Sequence, residues 1–398
     1  MSVDVDSGRA WVATVAVALA NGVAFGIAYT FGTFFDSMAD EFGAERGATA
    51  VIFGVTLLFF FGFGVISGPI SDRVGAHRLL AIGGTLMVVG LLLTSRVQHL
   101  ALGYVTYGVG VGLGSGIFTA PLTAVVGRMF VRRRAMALGV TATGNGLGTL
   151  ILVPMSASII ERHGWRTAYV VLAAIAAVAF ALAVPAVAMA TGGAKLRATG
   201  EGDGVAASLI LSRTMLADRF FGALFLSSLL MSIGLYIAFG FIVPFAKDEG
   251  VSAAAASRLV AIIGLSSIVG RLGLTSLTTR VGAVRMFQGT LVLQSLAYVI
   301  WLVAGSAYVL LVVFVVVLGV SYGGFVAMSP EILVRRFGVA NLGARMGTMF
   351  LAFGLGGLVG PPAAGFVADA SNGRTLPIIL VIALLVVAVG VSTRIEQV

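Results

Sequence analysis

Apolar runs without a single Asp, Glu, Lys or Arg recur along this chain, many of them near the ~20 residues an α-helix needs to cross ~30 Å of hydrocarbon. Only 10% of the 398 residues are charged, 59% are hydrophobic and the mean hydropathy is +1.07, a balance no water-soluble domain sustains. The runs are continuous, without the in/out alternation that transmembrane β-strands require, so the chain reads as an all-α membrane protein. Twelve spans are predicted, at residues 10–35, 48–70, 78–96, 99–127, 134–160 and 167–190, then 216–246, 254–278, 285–304, 306–333, 342–368 and 375–393. The first run begins near Ala10 without a small-residue cleavage site in the right place, and reads as helix 1 and not as a removable signal.

A net charge of +9 and a pI near 10.4 could suggest nucleic acid, but the basic residues sit in short clusters between the apolar runs. They read as topology signals in a lipid bilayer, with no nucleic-acid partner. With the N-terminus inside, 17 Lys/Arg and eight Asp/Glu fall on the inner side, and seven and eight on the outer side. Arg271 completes the 25 basic residues. The excess of inner positive charge predicts both termini in the cytoplasm and a multi-pass protein of the cell inner or plasma membrane.

The two halves are related to each other. Arg73-Val-Gly-Ala-His-Arg78 matches Arg280-Val-Gly-Ala-Val-Arg285 at a shift of 207, and Gly112 and Phe118 fall on Gly319 and Phe325 at the same shift. After one added residue, Gly139, Gly146, Gly148 and Pro154 fall on Gly347, Gly354, Gly356 and Pro362. An internal duplication explains this, giving an N-terminal six-helix bundle (1–190), a cytoplasmic linker (191–215) rich in Gly, Ala and charge, and a C-terminal six-helix bundle (216–398). Two pseudo-symmetric bundles around a central pathway is the geometry of alternating access.

Gly68-Pro-Ile-Ser-Asp-Arg-Val-Gly-Ala-His-Arg78, between helices 2 and 3, resembles the cytoplasmic signature of the major facilitator superfamily. Met129-Phe-Val-Arg-Arg-Arg-Ala-Met-Ala-Leu-Gly and the glycines that follow it at 144, 146 and 148 resemble the monocarboxylate porter and oxalate/formate exchanger branch. Asp6-Ser-Gly-Arg-Ala-Trp11 is similar, in degenerate form, to that branch's lead into helix 1. The resemblance implies a secondary transporter of major facilitator fold. In the signature, Asp72 can cap a neighbouring helix and pair with an adjacent Arg, so Asp72, Arg73, Arg78, Arg133 and Arg134 form a candidate latch, with Glu331 near Arg335 or Arg336 as a further gate element. Thr279 stands where Asp72 would repeat, so the second latch is weaker. The glycine ladder lacks the Gly-Lys-Ser/Thr of a phosphate loop and reads as helix packing.

Arg271 stands apart from the other charges. It lies nine residues before Arg280, ~13 Å along the helix and near the middle of the membrane. A guanidinium stays protonated there and costs several kcal/mol unless it faces a cavity or a partner. In the resembling branch helix 8 carries an arginine that pairs with the substrate carboxylate, and Val-Gly-Arg-Leu-Gly aligns with it. Polar candidates around it are Asn21 and Tyr29 on helix 1, Tyr107 on helix 4, Asn145 on helix 5, Tyr236 on helix 7, Ser267 on helix 8 and Tyr322 on helix 10. Phe325, with Phe118, Phe350 and Phe353, is a candidate apolar wall.

The chain departs from the animal porters of that branch: Ser267 stands one turn before Arg271 where they carry an acid, and Tyr29 stands near their lysine. Helix 11 lacks the exchanger's lysine, since Phe350-Leu-Ala-Phe is neutral. One fixed positive charge suits one carboxylate better than two. The expected function is transport of a small organic monocarboxylate of the lactate or pyruvate type, with proton symport. The alternatives are dicarboxylate or formate exchange, drug efflux, or a non-transporting sensor or assembly factor that kept the fold. No cysteine is present, the three His lie near predicted helix ends, and no nucleophile, base and oxyanion set is discernible, so neither metal, cofactor nor enzymatic chemistry is expected.

Overall fold

The computed structural model describes residues 7–191, 213–338, 342–371 and 373–395, and within them all side chains except those of 69, 72, 134, 135, 275, 276, 279 and 342–344. Every regular element among the described residues is a helix. This is what a chain without water partners for its backbone must adopt. Many Thr and Ser hydroxyls also donate to carbonyls of their own helix, among them Thr14 to Ala10 O (2.9 Å) and Thr56 to Ile52 O (2.8 Å).

The spans are named in chain order. Span α1 is Gly8–Tyr29 continued by Phe31–Phe42, and α2 is Arg46–Gly62 continued by Gly64–Val74. Span α3 is Ala76–Thr94, and α4 runs from Leu100 to Met129 with a π-helical turn at Tyr104–Val109. The next helix, Arg134–Thr191, is broken at Gly164 (φ 80, ψ 161) into α5 (134–163) and α6 (165–191). The remaining spans are α7 Arg219–Asp248, α8 Ala253–Val281, α9 Ala283–Ala304, α10 Tyr308–Phe337, α11 Leu342–Ser371 and α12 Thr375–Ser392.

Eleven helices among the described residues are long and apolar enough to cross a membrane. One of them, Met136–Thr191, has 56 residues, ~84 Å of helix, and with its break at Gly164 supplies two crossings. The count of twelve spans follows. Several helices outrun their sequence-based limits, and the segment between α5 and α6, expected as a six-residue loop, shrinks to one glycine. The apolar run marks only the part in hydrocarbon, while the helix continues into polar surroundings until a cap or a glycine stops it. The expected linker falls mostly on residues 192–212, outside the described residues.

The duplication is visible in the backbone. Gly75 and Gly282, 207 residues apart, take the same left-handed turn (φ 95 and 92), and their N–H groups donate to Ser71 O and Thr278 O at 2.8 and 2.9 Å. Helix packing repeats as well. A Cβ on Gly112 of α4 would lie 2.5 Å from Thr56 O of α2, and one on Gly319 of α10 would lie 2.7 Å from Ile263 O of α8. The two six-helix halves meet along two equivalent seams, α2 against α11 and α5 against α8, where Gly54 approaches Leu358 and Gly146 approaches Gly264. Between these seams, α1 meets α7, with Gly32 against Phe239 O.

Candidate functional site

Arg271 enters from α8 and is half-buried at the α5–α8 seam. Its Nη1 donates to Ala142 O of α5 at 2.6 Å, which ties the two halves together. Its Cζ lies 5.6 Å from the centroid of the Tyr322 ring on α10. The helices can come this close because of glycines: a Cβ on Gly323 would lie 2.0 Å from Ser267 O and 2.9 Å from Arg271 N, and one on Gly270 would lie 2.2 Å from Val320 O. The glycine beside Tyr322 thus seats α8 against α10.

Beyond Arg271, the space between the halves is filled by aromatic side chains. Tyr29 of α1 stacks on Phe239 of α7 at 4.2 Å, and Phe239 meets Tyr322 edge-on at 6.1 Å. Tyr236 of α7 meets Tyr29, Phe53 and Phe61 at 6.5, 6.3 and 6.0 Å. Phe61 continues the layer to Phe350 and Phe353 of α11. The phenol oxygens of Tyr29, Tyr236 and Tyr322 lie close enough to influence one another. Nevertheless the Tyr29 and Tyr236 hydroxyls, both on buried residues, make no hydrogen bond of ordinary geometry. The Oδ1 atoms of Asn145 and Asn21 are likewise buried without a hydrogen bond. Asn145 lies one turn beyond Ala142 on α5. Asn21 turns its amide toward Thr123 of α4 (3.3 Å).

Other sequence candidates lie elsewhere or are already engaged. The Tyr107 hydroxyl donates to Ile27 O (2.8 Å) inside the N-terminal half. Ser267 donates to Gly264 O of its own helix (2.7 Å). Phe325 is buried between Phe287 and Phe353. Phe118 packs on Phe180 within the N-terminal half. Of the latch residues, Arg73, Arg78 and Arg133 are exposed. The side chains of Asp72 and Arg134 lie outside the described residues. Glu331 pairs with Arg335 at 2.5 Å one turn along α10, so this pair joins one helix to itself.

The end of the molecule bearing the α1–α2 turn carries a cluster that sequence reading did not assemble. Lys247 of α7 meets Asp36 of α1 at 2.5 Å, and Arg46 of α2 meets Asp248 at 2.9 Å. Asp248 is shared with Arg374, next to α12. The Gly47 N–H donates to Asp369 of α11 (2.9 Å). Two ion pairs and a backbone hydrogen bond therefore span the halves at this acidic end, beside a cleft of ≈ 340 Å³ lined by Glu45, Arg46, Asp369 and Arg374. Asp36, expected in a loop, lies on the helical continuation of α1.

A permanent positive charge against an aromatic wall, with phenol and amide groups nearby, is a setting for a small anion with an apolar body. Comparison with known proteins agrees with the fold. The model of the Major Facilitator Superfamily matches residues 17–302 and 224–395. Monocarboxylate transporter 3 of Rattus norvegicus is 30% identical over 372 residues, 92% of this chain and 75% of that protein. Monocarboxylate transporter 4 of Rattus norvegicus is 28% identical over 375 residues (92% and 79%), and monocarboxylate transporter 11 of Homo sapiens 27% over 391 residues (94% and 80%). A crystal structure of the nucleoside transporter NupG superposes with a TM-score of 0.81 at 14% identity, covering 98% of this chain and 100% of that one, a likeness of fold.

Proposed function

The chain belongs to the major facilitator superfamily, and from that premise we propose that it carries a small organic monocarboxylate of the lactate or pyruvate type across the membrane by alternating access. The observation that carries the proposal is Arg271, a fixed cation in the membrane interior whose guanidinium bridges the two halves through Ala142 O. A carboxylate offers the guanidinium a bidentate, charge-assisted partner, stronger than a neutral carbonyl. An anion that takes the place of Ala142 O loosens the α5–α8 seam, so binding and movement are linked through one group.

The substrate's apolar part faces the aromatic layer of Tyr29, Phe239, Phe61 and Phe353. Tyr322 lies under the guanidinium, and Tyr29 and Asn145 supply buried polar atoms without a hydrogen bond of ordinary geometry. Tyr107 and Ser267 are left out, because each hydroxyl is already bonded to a backbone carbonyl. The acidic end faces the outside and the basic loops and both termini face the cytoplasm, by the distribution of Lys and Arg. Domain limits follow the helices: α1–α6 and α7–α12 move against each other. A proton accompanies the anion, carried on the substrate carboxylate or on water, because Glu331 is engaged by Arg335.

The test is uptake of radiolabelled lactate, pyruvate, formate, acetate and oxalate into proteoliposomes, with Arg271→Lys and Arg271→Ala alongside. Monocarboxylates are expected to enter and to acidify the lumen, oxalate to be excluded, and Arg271→Lys to keep part of the rate. Undiminished transport by Arg271→Ala would overturn the site.

A further inference from the structure

Tyr236 belongs to α7 in the C-terminal half, yet the aromatic rings it meets, Tyr29, Phe53 and Phe61, all belong to the N-terminal half. Its side chain is a knob from one half set in a socket of the other, fully buried. It stands eleven residues before Lys247, ~16 Å of helix inward from the ion pairs of the acidic end. Packing alone would be served by phenylalanine. The hydroxyl instead faces the phenols of Tyr29 and Tyr322 without a hydrogen bond of ordinary geometry, and a buried polar group in that state disfavours the arrangement that buries it.

We infer that Tyr236 is a substrate-contacting residue that makes closure of the acidic end depend on the substrate. A ligand oxygen that accepts from the Tyr236 hydroxyl removes the penalty, and can do so only while the ring is seated across the interface. The ligand therefore binds more tightly to the state closed at this end, and a ligand can shift a conformational equilibrium only through such a difference between states. Charge on the substrate is held by Arg271, while the seal responds to its second polar atom. The inference rests on the proposed carboxylate site, and the experiment separates the two.

The chain contains no cysteine, so Ala364→Cys introduces a single thiol on α11, in the apolar slot that Ile237 and Phe245 also line on the acidic-end side of Tyr236. The thiol is labelled in proteoliposomes by a membrane-impermeant maleimide, with and without lactate, and lactate binding is measured separately by calorimetry. In this single-cysteine parent, with Tyr236 intact, lactate is expected to slow labelling by about tenfold, a one-decade population shift. In Tyr236→Phe, which keeps the ring and so the packing, lactate is still expected to bind, with the slowing cut to below about twofold. Equal slowing in both proteins, or none in a parent that binds lactate, overturns the role of Tyr236 and leaves the carboxylate site standing. Absence of lactate binding in the parent overturns the carboxylate reading for lactate and this inference with it.

Discussion

The duplication puts Gly64 of α2 where α8 has Arg271, and Phe350 of α11 where α5 has Ala142. The same position in the two seams is thus occupied by a guanidinium on a carbonyl at 2.6 Å in one, and by a glycine whose Cβ would lie 3.9 Å from a phenylalanine ring in the other. Both seams inherit the glycine contacts that let the halves approach. At this position only one carries a charge. A twofold scaffold that is polar at this level in one seam and apolar in the other matches the two-ended substrate proposed above, its anionic group toward α8 and its carbon skeleton toward α2 and α11.

The sharpest way to break this comparison is to remove the polar pole. Arg271→Ala is expected to cut initial lactate uptake by ~10–100-fold, the range for losing a charge-assisted hydrogen bond of ~1.5–3 kcal/mol. The folded protein should persist, checked by size-exclusion chromatography. An unchanged rate would mean the two seams are functionally alike.

A second test separates packing from binding. Gly116→Ala and Gly323→Ala strike equivalent contacts, α4 against α2 and α10 against α8, where the added Cβ would lie 2.4 Å from Phe59 O and 2.0 Å from Ser267 O. Overpacking of this kind costs about 1–3 kcal/mol, so both variants should unfold at lower temperature. Only Gly323→Ala moves the backbone of Arg271, so it alone is expected to raise KM for lactate severalfold. Equal KM values in both would remove the link between the glycine and the charge.

The mildest effect is expected at the apolar pole. Phe350 lies 6.2 Å from Phe61 across the α2–α11 seam. Phe350→Ala should leave lactate uptake within a few-fold and shift preference toward longer monocarboxylates, at about 0.8 kcal/mol for each further methylene buried. Competition by a homologous acid series measures this. A uniform loss along the series would assign Phe350 to packing alone.

Much of this architecture could be read before any coordinates. The apolar runs dictate helices, and the repeat at 207 residues dictates the paired seams. Arg271 is visible as a charge where the membrane tolerates none without a use. The polar neighbours are another matter, because Tyr29, Tyr107 and Tyr322 look alike in a list of helical tyrosines. What distinguishes them is tertiary: Tyr107 reaches the carbonyl of Ile27, eighty residues away, while Tyr29 stacks on Phe239 and leaves its hydroxyl without a hydrogen bond of ordinary geometry. The acidic end was illegible for the same reason. Asp36 and Lys247 are 211 residues apart, and no local pattern announces that they will meet.

The junction at Gly164 has a mechanical meaning. The helix carrying Ala142 passes into the next through one residue, with no loop to absorb a tilt. α5 bears the seam that Arg271 closes, while α6 presents Val178, Leu182 and Met189, each more than 60% exposed, on the outer surface. In the proposed cycle a hinge this short makes a lever arm of the pair, and rocking of α5 sweeps α6 through the surrounding lipid. The hydrocarbon around the protein is then part of the load the cycle moves, and turnover in vesicles should change with acyl-chain length while affinity for the substrate stays constant.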